Sequence, residues 1–217
     1  MTDIFKVIAI DGGAASGKSS TSKVLAERHN FLHVDTGAHY RGLTCEALAS
    51  GVFPADTTLD SFLSSLKFET EIENRESYMK INGRRLSFED IRSEQVNAFV
   101  SQFAAIEGVR EKVKAYQLSQ VEVAKAHNFN GIVMDGRDIG TVILTDADLK
   151  IFLFADETTR MKRRASEGQV DQVAQRDKLD SSRKTAPLAA AEDAVLIDNS
   201  LLSLAGVVER IESELNL

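Results

Sequence analysis

Five short apolar runs recur along the chain, and longer stretches with helical spacing of apolar residues separate most of them. The runs are rich in β-branched residues, which is typical of strands buried on both faces of a parallel sheet. Alternation of strand and helix predicts βαβ units with right-handed crossovers. The five predicted strands cover residues 6–11, 32–35, 131–135, 150–155 and 194–198.

Helices are predicted from apolar stripes and from the absence of Gly and Pro. In the longest of them Arg110 lies one position off the apolar stripe, so that it can turn toward a cleft. Ser203 is predicted to cap the N-terminus of the last helix. The four predicted helices cover residues 18–30, 41–50, 108–126 and 203–216.

The pattern changes between residues 56 and 99, where polar and apolar residues alternate in short runs. Asn82-Gly83 is a strong signal for a tight hairpin turn. Strands are predicted at 67–73 and 77–82, with a third at 84–87. We interpret this antiparallel unit as an insertion, which is either a decoration or a flap on the substrate side.

Polar residues follow the predicted parallel strands, and the crossovers place all of these strand ends at one edge of the sheet. Ligands of open α/β sheets bind at that edge. The sequence therefore predicts that polar groups far apart in the chain converge there. They are Asp11, Asp35, Asp135, Asp156 and Asp198.

Residues 12–19 read GGAASGKS, the spacing of a phosphate-binding loop, between a predicted strand and a predicted helix. Glycines let the backbone approach phosphate oxygens, and the following helix N-terminus favours an anion. A glycine-rich turn without function is the alternative, but the context favours ATP or GTP binding. The predicted contacts are Gly12, Gly13, Ala14, Ala15, Ser16, Gly17, Lys18, Ser19 and Ser20.

Two further groups of residues suit phosphate chemistry. Asp135 ends an apolar run, where phosphate-loop proteins place a carboxylate that holds Mg²⁺ together with Ser19; a helix cap or turn is the alternative. Two phosphates in one cleft repel each other, and guanidinium groups can clamp them. Although a surface arginine is usually only solvated, the candidates here lie in polar clusters: Arg41, Arg110, Arg137, Arg163, Arg164, Arg176 and Arg183.

Composition narrows the class of protein. The 217 residues carry a net charge of −7, which argues against a broad grip on nucleic acid. Cys45 is the single cysteine, interpreted as a small apolar residue rather than a nucleophile, and a cytoplasmic location without membrane association is expected. The histidines match no metal site; His29, His33 and His127 are predicted at the surface or at a strand edge.

The motifs together resemble those of bacterial cytidylate kinases, over nearly the full length of the chain. The resemblance implies a three-layer α/β P-loop NTPase fold with a five-stranded parallel sheet, an antiparallel nucleoside-monophosphate-binding insertion and a short lid. It divides the single domain, 1–217, into a core (1–55, 100–160 and 184–217), an insertion (about 56–99) and a lid (about 161–183). The motifs are IAIDGGAASGKSS, DTGAHYR, IRSEQVNAFVSQFAA, VREKVKAYQ, DGRDIGTVI, KIFLFA, QRDKLDSSR, TAPL and AEDAVLIDNS.

The resemblance also implies a reaction, transfer of phosphate from ATP to CMP or dCMP with Mg²⁺, in a monomer. Lys18 would stand between donor and acceptor phosphates, with Arg137, Arg163 and Arg164 as further catalytic residues. Arg41 and Arg137 would grip the CMP phosphate, and Arg163 and Arg164 would face ATP from the lid. The other implied acceptor contacts are Thr36, Ser101, Arg110, Asp138, Arg176, Asp180 and Arg183.

Three positions depart from the family pattern. Gly13 stands where Pro is usual, and Ala15 where Gly is frequent; a positive φ at Ala15 would cost about 1 kcal/mol. His39 replaces an apolar residue, as an ordinary substitution or as a pH-sensitive contact. The stretch between Arg164 and Arg176 is shorter than usual, which predicts faster product release or more hydrolysis of ATP without acceptor.

Two alternatives to a cytidylate kinase stay open from the sequence. One is a kinase for another small acceptor, such as UMP. The other is a nucleotide-binding switch without catalysis, against which the presence of Lys18, Ser19, Asp135 and the arginine clusters argues.

Overall fold

One mixed sheet forms the centre of the computed structural model, which describes residues 5–166, 177, 180–182 and 186–215. Within these residues the strand order is β3-β4-β2-β6-β1-β7-β8, and β5 pairs with β4. The strands are β1 (Lys6–Gly12), β2 (Phe31–Asp35), β3 (Phe68–Glu73), β4 (Glu76–Ile81), β5 (Arg84–Arg85), β6 (Gly131–Gly136), β7 (Leu149–Phe154) and β8 (Val195–Asp198).

Helices cover both faces of this sheet. A 3₁₀ turn (Asp90–Arg92) and a π-helical turn (Ile139–Ile143) lie between longer elements. The helices described are α1 (Lys18–His29), α2 (Thr36–Ala49), α3 (Leu59–Ser65), α4 (Glu94–Phe103), α5 (Glu107–Ala126), α6 (Glu157–Ser166) and α7 (Leu204–Leu215). None of them is long and apolar enough to cross a membrane.

The five predicted parallel strands are confirmed, and they are neighbours in the order β2-β6-β1-β7-β8. The alternation within them explains the three layers. Ile8 and Ile10 on one face of β1 pack in a cluster with α1 and α7. Ala9, on the opposite face, packs in a cluster with α5. The parallel sheet therefore lies between two helical layers, as the apolar runs predict.

Helix predictions hold with one shift of boundary. α2 begins at Thr36 rather than at residue 41, because the Asp35 side chain accepts a hydrogen bond from the Ala38 amide (3.1 Å) and caps the helix. The predicted cap of the last helix is confirmed, since Ser203 Oγ accepts from the Gly206 amide at 3.1 Å.

The insertion extends the central sheet instead of standing apart from it. β3 and β4 form an antiparallel hairpin, and β4 meets β2 through one parallel bridge, His33 opposite Glu76. The predicted third strand shrinks to the two residues of β5, joined to β4 by Asn82 and Gly83, which both have positive φ (50° and 79°). The apolar side of the insertion packs with α2, α4 and α5 in one shared cluster.

Candidate active site

The phosphate-binding loop connects β1 to α1, and three of its residues have positive φ. A side chain at Gly12 (φ 151°) would place a Cβ 2.1 Å from the carbonyl oxygen of Leu153, so β7 passes too closely for any residue but glycine. Gly17 (φ 91°) turns the chain into α1. Ala15 has φ 56°, so the strain that its Cβ implies is present in this chain.

Lys18 lies at the first turn of α1 with its ammonium group folded back over the loop. Nζ donates to the Gly13 carbonyl oxygen (2.7 Å) and to Ser16 Oγ (3.3 Å). Burial, reinforced by the positive charge of Arg137, lowers the pKa of Lys18 to about 7. A phosphate anion placed beside it would favour the charged form.

Asp135, at the end of β6, connects the loop to β2. Its Oδ1 accepts from Ser19 Oγ (2.9 Å), and its Oδ2 lies 2.7 Å from His33 Nε2. Burial alone would raise the pKa of Asp135, but His33, Lys18 and Ser19 outweigh it and hold that pKa below its ordinary value. The carboxylate is thus ionised and turned toward the loop.

The prediction that His33 lies at the surface or at a strand edge is wrong. Its side chain is 2% exposed, because β2 is paired on one side with β6 and on the other with β4 of the insertion. His29, by contrast, is partly exposed at the end of α1, where it pairs with Glu212, and His127 is exposed.

The pairing of Ser19 with Asp135 suits Mg²⁺ bound together with a nucleotide. Mg²⁺ prefers oxygen ligands and is commonly held by one or two protein oxygens plus substrate phosphates. Among the described residues there is no group of three or more His, Cys, Asp or Glu that could hold an ion unaided. The available donors therefore fit a metal that arrives with ATP better than a separate metal site.

A cleft of about 650 Å³ joins the loop to the insertion. Its described walls come from residues 14–20 of the loop, the start of α2, β4 and the segment that follows β5. Seven basic and three acidic side chains line it, namely Lys18, Lys23, Arg41, Arg85, Arg92, Arg137 and Arg164 against Asp35, Glu76 and Asp135. The walls contributed by the insertion support its interpretation as a flap on the substrate side.

Arg41 and Arg137 lie in this cleft from opposite directions. Arg41 Nη1 donates to Asn97 Oδ1 (2.7 Å) and to the carbonyl oxygen of Ile91 (3.1 Å). Arg137 Nε donates to Asp180 Oδ2 at 3.0 Å. Each guanidinium is therefore held at its back by protein acceptors, while the side chain borders a common space.

The residues expected to read a cytosine are differently placed. Arg110 and Asp138 form a buried ion pair with each other, and Arg110 Nη1 also donates to the carbonyl oxygen of Ala104 (3.3 Å). Thr36 Oγ1 donates to the carbonyl oxygen of Asp135 (2.7 Å). None of these three, nor Ser101 on α4, is among the described residues that line the cleft. Their proposed contacts with a base or ribose stay predictions.

Of the predicted lid residues, Arg164 borders the cleft, while Arg163 contacts the end of β8. Arg163 donates to the side-chain oxygen (3.1 Å) and to the carbonyl oxygen (2.9 Å) of Asn199. Arg176, Arg183 and the stretch whose short length predicts an open ATP site lie outside the described residues.

A family model for cytidylate kinases matches residues 8–216. The chain belongs to this family. A cytidylate kinase of Geobacillus kaustophilus is 43% identical over 96% of both chains. One from Bacillus velezensis is 41% identical over 94% of this chain and 93% of its own length.

Solved structures agree at the level of the fold. An uncharacterized protein from Eubacterium ventriosum superposes with a TM-score of 0.52 over 97% of this chain and 98% of its own, at 15% identity. TT1252 from Thermus thermophilus gives 0.51 over 98% of both chains, at 14% identity. As a member of the family, the chain is a nucleoside monophosphate kinase with a phosphate-binding loop.

Several residues that build this kinase site carry little signal in the sequence. Asn199 Nδ2 donates to the Ser16 carbonyl oxygen (2.7 Å), so the end of β8 holds both the loop and Arg163. Asp177 accepts from the Ala14 amide (2.8 Å) and pairs with Arg160 of α6. The position of Asn199 directly after a parallel strand was the one available signal.

Two residues singled out in the sequence take no part in the cleft walls. His39 is buried against Tyr116, and burial lowers its pKa to about 3, so it is neutral at physiological pH. This favours an ordinary substitution over a pH-sensitive contact. Cys45 is partly buried, and burial raises the pKa of its thiol, as expected for a residue that is not a nucleophile.

Proposed function

We propose that this kinase transfers the γ-phosphoryl group of ATP to the phosphate of CMP or dCMP, giving ADP and CDP or dCDP. The observation that carries the proposal is one cleft in which Lys18 and the loop face Arg41 and Arg137. Family membership supplies the substrates, since the relatives are named cytidylate kinases.

The donor side is built by the loop. Residues 12–20 would cradle the ATP phosphates with backbone N–H groups, and the N-terminus of α1 would favour their charge. Lys18 exchanges its present acceptors, Gly13 and Ser16, for phosphate oxygens, and stands between the donor and acceptor phosphates. Arg163 and Arg164 would stabilise the charge that spreads over the transferred group.

Ser19 and Asp135 would hold Mg²⁺ against the nucleotide. When bound, the ion neutralises phosphate charge and helps orient the transferred group. The ionised state of Asp135, whose pKa lies below its ordinary value, suits that role.

On the acceptor side, Arg41 and Arg137 would clamp the CMP phosphate. Arg110 and Asp138 offer donors and a carboxylate acceptor, which match the carbonyl and the amino group on the cytosine edge. Ser101 would support that reading, and Thr36 would lie near the ribose or base. Asp180, with Arg176 and Arg183, would bind the ribose hydroxyls and nearby phosphate.

The acceptor makes a general base unnecessary. A phosphate monoester has a second pKa of about 6, so its attacking oxygen is already anionic at neutral pH. The residues therefore work by positioning and by neutralising charge. Water must be excluded, because it would otherwise take the phosphoryl group from ATP.

A coupled assay with CMP, dCMP, UMP and AMP tests the proposal. We expect CMP and dCMP to turn over faster than the other two acceptors. Arg137→Ala and Lys18→Ala should each lower kcat/KM by about 100-fold or more, as loss of one preorganised charge donor does elsewhere. In Lys18→Ala, CMP binding should persist.

Arg84→Ala is the matched control, because Arg84 is exposed and pairs with Glu46 outside the cleft. Equal rates on all four acceptors would contradict the specificity. Nucleotide binding without any transfer would favour the non-catalytic switch. The monomeric state, the cytoplasmic location and the boundaries of insertion and lid stay predictions.

A further inference from the structure

The ring of His33 contacts the same carboxylate that faces the phosphate-binding loop. His33 Nε2 lies 2.7 Å from Asp135 Oδ2, and Asp135 Oδ1 accepts from Ser19 Oγ at 2.9 Å. The His33 and Asp135 side chains are 2% and 3% exposed. The carboxylate therefore cannot rotate without breaking one of two buried hydrogen bonds.

The sheet register produces this contact. β2 and β6 are parallel neighbours, with His33 opposite Val133 and Asp35 opposite Asp135. Residues two apart in a strand share a face, so His33 and Asp135 lie on one face as diagonal neighbours. A ring that leans along the strand reaches the carboxylate, and a shorter side chain at this position would not.

The hydrogen-bonding state of the ring indicates a donor. Among the described residues, Nδ1 of His33 has no hydrogen-bond partner, whereas Nε2 has the carboxylate. A neutral imidazole carries its proton on one nitrogen, and the acceptor decides which one. Nε2 is thus the protonated atom, and it donates to Asp135 Oδ2.

We propose that His33 is a positioning residue that fixes the Asp135 carboxylate so that Oδ1 and Ser19 Oγ are jointly presented to the Mg²⁺ of MgATP. This inference rests on the proposed function, because it requires a magnesium-dependent nucleotide at the loop. Residues that hydrogen-bond to a metal ligand commonly change metal affinity 10- to 100-fold when they are replaced.

Calorimetric titration of ATP, with Mg²⁺ and with EDTA, measures the gain in affinity that the metal confers. In His33→Leu, which has no donor, this gain should fall by about tenfold while the affinity in EDTA stays within twofold. His33→Gln can still donate through its Nε2 and should restore most of the gain. His127→Gln, at an exposed position, should leave the gain unchanged.

Three outcomes would overturn the inference. The first is a wild-type gain that survives in His33→Leu. The second is an equal loss of affinity with and without Mg²⁺, which shows a merely structural role. The third is a His33→Gln variant no better than His33→Leu. A wild-type protein without any gain from Mg²⁺ would overturn the proposed function, and this inference with it.

A measurement on the wild-type protein keeps the test valid if His33→Leu does not fold. Nitrogen-15 spectra of histidine-labelled protein report which ring nitrogen carries the proton. We expect the Nε2-protonated form, with a shift on adding MgATP that ATP in EDTA does not produce. A proton on Nδ1 with a bare Nε2, or identical shifts under both conditions, would exclude the proposed contact.

Discussion

At the scale of single residues, the Asp11 carboxylate fastens the end of β1 to the turn that follows β6. Oδ1 accepts from the Ile139 amide (2.8 Å), and Oδ2 accepts from the Gly140 amide (2.7 Å). Burial outweighs these bonds and raises the pKa of Asp11 from 3.8 to about 6. Stabilisation from this group is therefore fully present below about pH 3.8 and is lost as the pH rises through about 6.

Asp11→Asn removes this titration and tests its sign. From pH 7.5 to pH 5, the free energy of unfolding of the wild type should gain about 1 kcal/mol relative to the variant. Urea denaturation of both proteins across this range measures the difference, in which groups common to both cancel. A difference that is constant, or that shrinks as the pH falls, would contradict the raised pKa.

Ala15 carries backbone strain that glycine would relieve. Its φ of 56° places a Cβ in the left-handed region, at a cost on the order of 1 kcal/mol. Glycine gives part of this back through greater freedom in the unfolded chain, so Ala15→Gly should raise the free energy of unfolding by about 0.5 kcal/mol. ATP affinity should be retained, because the loop conformation is unchanged.

Ala14→Gly is the matched control one residue earlier in the loop, where φ is not positive. Here glycine brings only flexibility, so stability should fall by about 0.5–1 kcal/mol. Denaturation midpoints of the two variants should move in opposite directions. A loss of stability in both would show that the strain at Ala15 is relieved in some other way.

At the scale of elements, the end of β8 connects the donor loop to α6 through one buried side chain. Asn199 donates to the Ser16 carbonyl oxygen and accepts from Arg163, while its own amide donates to the Phe154 carbonyl oxygen at 2.9 Å. Asn199→Ala removes both side-chain bonds and leaves the backbone bonds. KM for ATP should rise roughly tenfold, equivalent to about 1.4 kcal/mol.

Steady-state kinetics with each substrate varied in turn check this prediction. KM for CMP should stay within about twofold, because Asn199 does not line the described cleft walls. Ser200→Ala is the neighbouring control, since that hydroxyl bonds only to Asp198 and the Asp156 amide among the described contacts. An equal rise in both KM values would indicate general damage instead of a local effect on the loop.

The elements also show what sequence reasoning can reach. Parallel strands leave continuous apolar runs, and the loop has a fixed spacing, so both were predicted. The start of α2 was missed, because Thr36-Gly37 reads as a turn unless the Asp35 cap is seen. His33 was misplaced, because a single histidine in an apolar run has no periodic signal and its partner lies 102 residues further along the chain.

At the scale of the whole molecule, the charge of the cleft is opposite to that of the chain. The protein carries a net charge of −7, which repels nucleotides at long range. Seven basic and three acidic side chains line the described cleft walls. Such a local concentration of one sign focuses the field inside a cleft and attracts anionic ligands from short range.

This separation predicts that binding of the acceptor depends on salt. Raising NaCl from 50 to 300 mM shortens the Debye length from roughly 14 to 6 Å, so KM for CMP should rise several-fold, and kcat should change less. Arg92→Gln, within the cleft, should flatten the slope of log KM against log salt concentration, whereas Arg84→Gln, outside it, should not. Steady-state assays over the salt series measure both slopes, with sucrose as the uncharged control. If KM stayed constant with salt, or if both variants changed the slope equally, attraction by the cleft would not govern acceptor binding.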